Sequence, residues 1–409
     1  MERNPYFTKV SLNEAPLWKE KSPLLGSLDM ELTERCNNDC IHCYVNLRSD
    51  DLAARERELS TEQVKEILRE AASLGCLRVR LTGGEPLLRE DFEEIYLSAR
   101  KLGLRVLLFT NATLITPRLA ELFSRIPPLE KIEISFYGMK RESYEAVTGT
   151  PGSFEAAWRG IHLLLERKVP FIVKSVLLPP NKDEVKELEA WASTLPWMDK
   201  PPSYSMFFSL RCPRDSDEKN NLIKKLRISP EEGLGILSRK QGKYLDETKE
   251  FCSKFMGVPG EKLFSCGSGI ASGCVDAYGY FQPCMEVRHP DTVYTLKRGS
   301  LTDALVNFFP RIREMKAAYP EYLRRCARCF LKGLCEQCPA KSWMEHGTLD
   351  TPVEYLCEIA HAQAVELGLI EKGERAWEIL DWRERVEKFS GVKPMVRGVS
   401  GTEVRRICV

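Results

Sequence analysis

The first half of the chain alternates between short apolar runs and longer amphipathic segments. Runs with the length of strands occur at 28–33, 77–81, 105–109, 131–134, 171–177 and 203–210, and segments with helical periodicity lie between them. Six strand–helix steps within about 190 residues predict parallel strands joined by right-handed crossovers. The fold is therefore predicted to be α/β, as a partial (β/α)6 TIM-like barrel or as an open doubly wound sheet.

Local signals predict where individual elements begin. Ser60 and Gln63 form a capping box at the start of a helix. Ser229, followed directly by proline, is typical of another helix start. The sequence Asp-Ala-Tyr-Gly at 276–279 predicts the turn of a β-hairpin, and an amphipathic helix is predicted after Cys357. Two tryptophans between 376 and 383 are expected to dock the C-terminal end onto the body of the protein.

These patterns divide the 409 residues into five segments. They are an N-terminal extension (1–26), the barrel (27–210), a bridging segment (211–264), a cysteine-rich domain with a hairpin and helices (265–362), and a C-terminal helix and tail (363–409). The boundaries follow the points where the strand–helix alternation starts, where it degrades, and where cysteines become frequent.

Composition narrows the function. A hydrophobic fraction of 43% with 29% charged residues is typical of a soluble globular protein. Lysine and arginine total 60 and aspartate and glutamate 59, so no global charge favours binding to nucleic acid or to a membrane surface. No apolar run reaches transmembrane length and the polar start is unlike a signal peptide, so we expect a cytoplasmic protein. Fifteen cysteines in a reducing compartment indicate metal ligands.

Three cysteines follow the first predicted strand directly. Cys36, Cys40 and Cys43 are separated by three and then two residues, and Tyr44 stands behind the last. Three thiolates can hold three irons of a 4Fe-4S cluster and leave the fourth iron open. A zinc knuckle without its fourth ligand, or a few buried thiols, is the competing interpretation.

Polar motifs follow the next three strands in the same way. Gly83-Gly84-Glu85-Pro86 follows the second strand, Asn111 the third and Ser135 the fourth. In a parallel barrel the carboxyl ends of the strands share one rim, which is where such folds place their chemistry. Four motifs on one rim favour the partial barrel over the open sheet and the iron–sulfur cluster over zinc.

The three-cysteine spacing with its trailing aromatic residue resembles the signature of the radical S-adenosylmethionine (SAM) superfamily. The resemblance implies that the open iron binds the amino and carboxylate groups of SAM. It further implies that one electron cleaves the sulfonium to a 5'-deoxyadenosyl radical, which removes a hydrogen atom from the substrate. Tyr44 lies where the family uses backbone contacts and aromatic stacking near the adenine.

The rim motifs gain a role from the same resemblance. Gly83, Gly84 and Glu85 resemble the GGEP motif for the methionine end of SAM, with Glu85 accepting from the ammonium group. Asn111 and Ser135 could reach a ribose hydroxyl or the adenine. A double glycine also suits a plain turn, and Asn111 and Ser135 also suit capping positions.

Charged residues interrupt the apolar strands at Glu31, Arg80, Glu133 and Lys174. They either lie at solvated strand margins or face a polar lumen that holds SAM and substrate, in which case Lys174 is a candidate for cofactor binding. Cys212 lies just past the sixth strand and is either an inert thiol or a hydrogen-atom donor.

The C-terminal cysteines are too crowded for a zinc ribbon. Only five residues separate the two Cys-x2-Cys pairs at 326–329 and 335–338, which cannot form the hairpins between zinc knuckles. The region resembles a SPASM domain, which binds two auxiliary 4Fe-4S clusters. By resemblance the nearer cluster takes Cys266, Cys274, Cys284 and Cys338, and the outer one takes Cys326, Cys329, Cys335 and Cys357.

Two points of that assignment stay open. The last cysteine pair is spaced by two residues where the family more commonly has three, which affects Cys338 and Cys357. Without Cys274 as a ligand, the nearer cluster would have an open iron for substrate. Cys76, Cys252 and Cys408 are expected to be structural or free.

The resemblance implies an oxygen-sensitive oxidoreductase with three 4Fe-4S clusters and SAM. Its expected substrate is a peptide, modified oxidatively to a thioether or C–C cross-link, and its expected reductant is ferredoxin or flavodoxin. Since the N-terminal extension is too short for a leader-peptide-binding domain, a separate leader-binding protein could supply that function.

Three alternatives remain. In formylglycine-forming sulfatase maturases an acidic residue directly follows the third SPASM cysteine. Met285 stands there, so this carry-over fails, and Glu286, one place later, is expected to point elsewhere. A peptide epimerase would use Cys212 to return hydrogen. A non-catalytic iron–sulfur electron carrier would need neither the GGEP motif nor an open cluster.

Overall fold

The computed structural model describes residues 24–205, 210, 217–238 and 241–391. The predicted hydrogen donor Cys212 and the cysteine at 408 lie outside the described residues, as does most of the predicted N-terminal extension. Within the described residues, no helix is long and apolar enough to cross a membrane.

The strands agree closely with the apolar runs of the sequence. They are β1 Ser27–Thr33, β2 Arg35–Cys36, β3 Leu47–Arg48, β4 Arg78–Gly83, β5 Arg105–Thr110, β6 Leu129–Ser135, β7 Phe171–Val176, β8 Ser203–Ser205, β9 Ser272–Val275, β10 Tyr280–Gln282 and β11 Tyr294–Thr295. The predicted end of the sixth barrel strand, at 206–209, lies outside the described residues.

Helices alternate with the strands and then dominate the C-terminal region. They are α1 Leu52–Arg57, α2 Thr61–Ser73, α3 Phe92–Lys101, α4 Pro117–Arg125, α5 Arg141–Thr148, α6 Ser153–Glu166, α7 Val185–Ala192, α8 Asp217–Leu226, α9 Pro230–Leu237, α10 Gln241–Phe255, α11 Leu301–Asp303, α12 Phe309–Arg313, α13 Pro320–Arg324, α14 Pro339–His346, α15 Glu354–Glu366 and α16 Trp382–Ser390. A π-helical turn joins α11 to α12, and short 3-10 turns occur at Pro86–Leu88, Lys182–Glu184, Pro290–Thr292 and Cys326–Arg328.

The local sequence signals mark the right element ends. Ser60 accepts a hydrogen bond from the Gln63 backbone and Gln63 caps in return, so the capping box starts α2 as predicted. Ser229 caps α9 in the same way. The turn at 276–279 connects β9 to β10. The helix predicted after Cys357 begins earlier, at Glu354.

The predicted parallel α/β fold is confirmed. In the described part of the chain, the main sheet has nine strands in the order β11-β10-β9-β1-β4-β5-β6-β7-β8. From β1 to β8 in that order, each strand is parallel to the next. The hairpin of the cysteine-rich region extends this sheet, because β9 pairs in parallel with β1. The C-terminal region therefore meets the barrel beside the strand that leads into the first cysteines.

The two faces of the sheet differ in chemistry. Met30, Leu81, Leu108 and Ile132 are neighbours across β1, β4, β5 and β6, and none of the four is exposed to solvent. They belong to the main apolar core with buried side chains of the covering helices, such as Tyr96. Because side chains alternate along a strand, the charged residues of the strands lie on the opposite face, called the inner face below.

Candidate active site

The cysteine loop (36–46) is fastened at both ends. Its first residue pairs in parallel with Arg48, through the short strands β2 and β3. In the middle of the loop, the backbone N–H groups of Asp39 and Ile41 donate to carbonyls at the end of α5, over 2.9 and 3.0 Å. Gly149 follows α5 directly, and a Cβ there would lie 2.5 Å from the Asp39 carbonyl oxygen. The loop therefore packs against the end of α5 without room for a side chain.

The three thiols of the loop lie close enough to interact electrostatically. Burial raises the pKa of Cys36 to about 12, and the charge of Cys43 adds to the shift. Burial and then the charge of Cys43 raise the pKa of Cys40 well above its usual value. Thiolates in such surroundings need a nearby positive charge in order to form, and the irons of a cluster would supply it.

Hydrogen-bond donors surround these thiols. The Asn111 side chain donates to Cys36 Sγ over 3.8 Å and to Asn37 Oδ1 over 3.0 Å. The ring of Tyr137, just after β6, packs edge-on against the ring of His42 in the loop, with centroids 5.4 Å apart. The predicted rim residue Asn111 is thus brought to the cysteine loop from the end of β5, and the segment that follows Ser135 reaches the same loop from β6. Tyr137 received no role from the sequence, although its place just after β6 marked it.

The double glycine packs against the backbone that enters the cysteine loop. Gly83 has a φ of +130°, and a Cβ there would lie 2.0 Å from the Thr33 carbonyl oxygen. A Cβ on Gly84 would lie 2.3 Å from the Arg35 carbonyl oxygen. The N–H groups of Gly84 and Glu85 donate to those same two carbonyls, over 2.7 and 3.0 Å. Glycine is therefore required here for the approach of two chain segments.

Glu85 is fully buried, and its carboxylate accepts three hydrogen bonds. They come from the Asn111 backbone at 2.8 Å, the Thr110 hydroxyl at 2.9 Å and the Leu87 backbone at 3.1 Å. Burial raises the pKa of Glu85 to about 7. The carboxylate thus ties the end of β4 to the end of β5, and its predicted contact with the SAM ammonium stays a prediction.

The inner face of the sheet carries paired charges around one aromatic ring. Arg80 pairs with Asp29 at 3.3 Å and Lys174 with Glu133 at 3.4 Å. Both cations stand over Phe109, at 4.7 and 3.1 Å from its ring centroid. Burial, opposed by Glu133, lowers the pKa of Lys174 to about 8. The charges in the strands are therefore largely buried and paired with one another, and they do not lie at solvated strand margins.

Glu31 has a different partner from the other charges in the strands. Arg288, just after the hairpin, donates to both Glu31 oxygens over 2.6 and 2.7 Å and to Glu34 Oε1 over 3.2 Å. Tyr278 donates to the other Glu34 oxygen over 2.7 Å. Burial and then the charge of Glu31 raise the pKa of Tyr44 well above its usual value, which places Tyr44 beside the same network. Sequence reasoning missed Arg288, since its partners are more than 250 positions away.

Cys266, Cys284 and Cys338 form a second group of interacting thiols. Burial, then the charges of Glu286 and Cys338, raise the pKa of Cys284 above its usual value. Burial and then Glu286 raise the pKa of Cys338 to about 12, with Cys266 adding to the shift. Glu286 forms an ion pair with the buried Lys341 at 3.1 Å. This carboxylate therefore lies beside the predicted ligands of the nearer auxiliary cluster.

Cys274, the fourth predicted ligand of the nearer cluster, lies close to two acidic residues of β1. Cys274 lies in β9, fully buried and paired across the sheet with Asp29. Burial and then the charges of Glu31 and Asp29 raise its pKa well above the usual value. Cys274 as a ligand of the nearer cluster stays a prediction.

The outer four cysteines also interact. Burial and then the charge of Cys357 raise the pKa of Cys326 to about 12. Burial raises the pKa of Cys329 to about 12 and that of Cys335 well above its usual value, and Cys357 adds to both shifts. Arg325 donates to Cys357 Sγ over 3.4 Å.

The residues of the cysteine loop fit a 4Fe-4S cluster better than a single ion. No three His, Cys, Asp or Glu side chains of the described residues are packed closely enough to hold one metal ion. Zinc needs four ligands about 2.0–2.3 Å from one centre, whereas a cubane spreads its thiolates around a larger core. Asn38, between the first two cysteines, is 3% exposed, and its amide has no hydrogen-bond partner among the described residues. A polar group placed in this way suits a ligand that the cysteines hold.

Comparison with known proteins finds a family match over this site. Residues 30–192 match the profile of the Radical SAM superfamily. An AdoMet-dependent heme synthase of Methanosarcina barkeri is 34% identical over 190 residues, which are 46% of this chain and 52% of that protein. A probable GTP 3',8-cyclase of Methanothermobacter marburgensis is 36% identical over 125 residues, 30% of this chain and 39% of that protein. The chain spans about half or less of the length of these curated relatives.

Solved structures share the fold over most of the chain. SuiB of Streptococcus suis bound to S-adenosylmethionine has a TM-score of 0.54 at 15% identity, over 82% of this chain and 75% of that one. Native anSMEcpe with bound AdoMet has a TM-score of 0.54 at 16% identity, over 83% of this chain and 96% of that one. At these identities the likeness shows the fold alone.

Proposed function

We propose that this chain, whose residues 30–192 match the Radical SAM profile, is an enzyme that cleaves SAM reductively and abstracts hydrogen from a peptide substrate. The observation that supports the reaction best is the arrangement around Cys36, Cys40 and Cys43. Three interacting thiols lie on a loop whose entering segment is bonded to the GGEP turn, and the loop itself contacts Asn111 after β5 and Tyr137 after β6. Three thiolates leave one iron of a cubane open, which is the position that SAM needs.

The chain's own residues would hold and shield the reacting groups. When bound, the cluster supplies an electron and SAM supplies the carbon radical. The cysteines hold three irons, while the GGEP turn keeps the loop at a fixed distance from β4. Asn111, Ser135 and Tyr137 bring polar groups to the same place from neighbouring strands. A rigid arrangement of this kind positions one C–H bond and excludes water.

The C-terminal cysteines are proposed to hold two auxiliary clusters. Supporting observations are the two further groups of interacting thiols, with Cys284 representative of one and Cys326 of the other. The order of the sheet brings the first of these groups near the barrel, because β9 pairs with β1. An electron from ferredoxin or flavodoxin could enter there or reach the site cluster directly.

A peptide is the first substrate candidate because the cysteine-rich region resembles that of peptide-modifying enzymes. The structural likeness to SuiB and anSMEcpe covers both regions of the chain, although it concerns the fold alone. Glu286 lies beside the nearer thiols and is paired with Lys341, so a formylglycine-type role would require that ion pair to open.

A carboxylated tetrapyrrole is the second candidate. The curated relatives include an AdoMet-dependent heme synthase and an Fe-coproporphyrin III synthase of Methanosarcina barkeri, at 34% and 33% identity. Arg80 and Lys174 on the inner face could pair with substrate carboxylates, in exchange for their present partners. The same radical chemistry would then act on a propionate side chain.

Anaerobic reconstitution tests the reaction. Three cubanes predict about twelve irons per chain, and reduction with dithionite should release 5'-deoxyadenosine from SAM. A variant with Cys36, Cys40 and Cys43 all replaced by alanine should keep about eight irons and release none. Cys76→Ala, which removes a buried thiol outside the three groups, should behave like the wild type. Full iron content and SAM cleavage in the triple variant would refute the proposed site.

The substrate is tested separately. Candidate precursor peptides encoded near the gene, and Fe-coproporphyrin III, are each added to the reduced enzyme. The true substrate should raise the yield of 5'-deoxyadenosine and lose hydrogen by mass spectrometry. Stimulation by Fe-coproporphyrin III and by no peptide would replace the first candidate with the second.

A further inference from the structure

Within the described residues, Asn38 and Tyr144 are among the side chains at the cysteine loop that have buried polar atoms without a hydrogen-bond partner. The first is the amide of Asn38, of which both Nδ2 and Oδ1 are buried and unbonded in that part of the chain. Its main chain is well held, since the N–H donates to Cys36 Sγ over 3.4 Å and the carbonyl accepts from Asn46 over 3.3 Å. The backbone of Asn38 is thus held between Cys36 and Cys40, and within the described residues the donors of its side chain are unused.

The second group is the hydroxyl of Tyr144, in α5. The residue is fully buried, and within the described part of the chain its hydroxyl has no hydrogen-bond partner. The helix that carries it also holds the cysteine loop through carbonyls at its C-terminal end. Burial, and to a smaller extent the charges of Cys40 and Glu85, raise the pKa of the Tyr144 hydroxyl, so both charges lie within electrostatic range of it. Its ring packs against Tyr137, with centroids 5.8 Å apart.

Burying a hydrogen-bond donor without an acceptor is costly. If their roles were purely structural, an aliphatic residue would be favoured in place of Asn38 and a phenylalanine in place of Tyr144. By contrast, the buried hydroxyl of Tyr96 in the main core donates to the Ile126 carbonyl. A cluster held by the three cysteines would present inorganic sulfides and thiolate sulfurs, which accept hydrogen bonds.

We propose that the Asn38 amide and the Tyr144 hydroxyl donate hydrogen bonds to sulfurs of the cluster held by Cys36, Cys40 and Cys43, and thereby raise its reduction potential. The inference rests on the proposed function, which supplies the cluster. Reduction adds one electron and makes the sulfurs more negative, so a donor stabilises the reduced state more than the oxidised one. The two residues therefore make the one-electron reduction that precedes SAM cleavage easier.

The test measures the midpoint potential of the site cluster in the reconstituted full-length protein. Its EPR signal is recognised among the three clusters by its change when SAM is added. Asn38→Leu and Tyr144→Phe should each make the potential more negative. A bond whose equilibrium constant is about tenfold larger in the reduced state shifts the potential by about 59 mV for one electron, and we expect a shift of that size in each variant. Tyr96→Phe is the matched control and should leave the potential unchanged.

A second measurement keeps the inference testable if a variant fails to load iron. In wild-type protein exchanged into D2O, pulsed EPR of the SAM-responsive signal should show couplings to exchangeable deuterons, and Tyr144→Phe should lose one of them. Unchanged potentials with full iron content, or no exchangeable coupling in the wild type, would overturn the inference alone. The absence of any SAM-responsive signal in the wild type would instead overturn the proposed function.

Discussion

Replacing Arg288 by methionine should destabilise the folded protein strongly. The Arg288 side chain is 9% exposed, and its partners Glu31 and Glu34 are 2% and 0% exposed. Removing one partner of a buried ion pair leaves a charge without compensation, which typically costs about 3–5 kcal/mol. Here one cation neutralises two carboxylates, so at pH 8 we expect a loss in the free energy of unfolding at the upper end of that range, about 5 kcal/mol.

The loss should depend on pH in a defined direction. Burial raises the pKa of Glu31 from 4.5 to about 7, against the opposing effect of Arg288. A carboxyl group with a raised folded-state pKa contributes stability that is fully present below pH 4.5 and is lost as the pH rises through about 7. Without Arg288 that pKa rises further, so Glu31 takes up a proton in the variant at neutral pH. The destabilisation should therefore be smaller at pH 6 than at pH 8.

The difference in the free energy of unfolding between variant and wild type is measured by urea unfolding under nitrogen, followed by circular dichroism. A shift in the urea midpoint, with an unchanged dependence of the free energy on urea concentration, gives the loss in stability. The matched control is Arg48→Met, since Arg48 and its partner Asp50 are 85% and 69% exposed and the pair should add nothing measurable. A midpoint for Arg288→Met equal to that of the control, or a larger loss at pH 6 than at pH 8, would refute the reasoning.

Two further predictions concern the rim and the inner face. Gly84→Ala should reduce the iron content by about four per chain, because its Cβ would lie 2.3 Å from the Arg35 carbonyl oxygen and displace the cysteine loop. The control is Gly235→Ala in α9, whose Cβ meets nothing within 4 Å, so this variant should bind iron normally. Equal iron contents in the two variants would contradict the prediction. Lys174, with its pKa lowered to about 8 by burial, should react with acetic anhydride at pH 8 in preference to fully exposed lysines, as followed by peptide mass spectrometry. Glu133→Gln removes the charge that raises this pKa and should extend the reactivity to lower pH, and the opposite shift would disprove the assigned pairing.

Several features followed from the sequence because their causes are local. The capping box at Ser60 needs only residues three positions apart, and the strands are visible because alternation of apolar positions reports the buried face. The four rim motifs could be grouped from their positions along the chain alone, since parallel strands with right-handed crossovers bring their carboxyl ends to one edge. The α/β class rests on this kind of information, whereas the grouping of the C-terminal cysteines came from the resemblance to a SPASM domain.

Only the tertiary structure decided which groups meet across the chain. The apolar pattern of β1 shows that a charge at Glu31 is unusual, but it does not identify Arg288 as the partner. Arg288 can bond to Glu31 because the hairpin that begins with β9 joins the sheet beside β1. Likewise the sequence marked Glu85 as a candidate to meet a ligand, and only the structure shows that its carboxylate also accepts hydrogen bonds from the end of β5. Local pattern fixes which side of an element is apolar, whereas the partner of a buried charge or amide depends on distant segments that arrive only when the sheet has assembled.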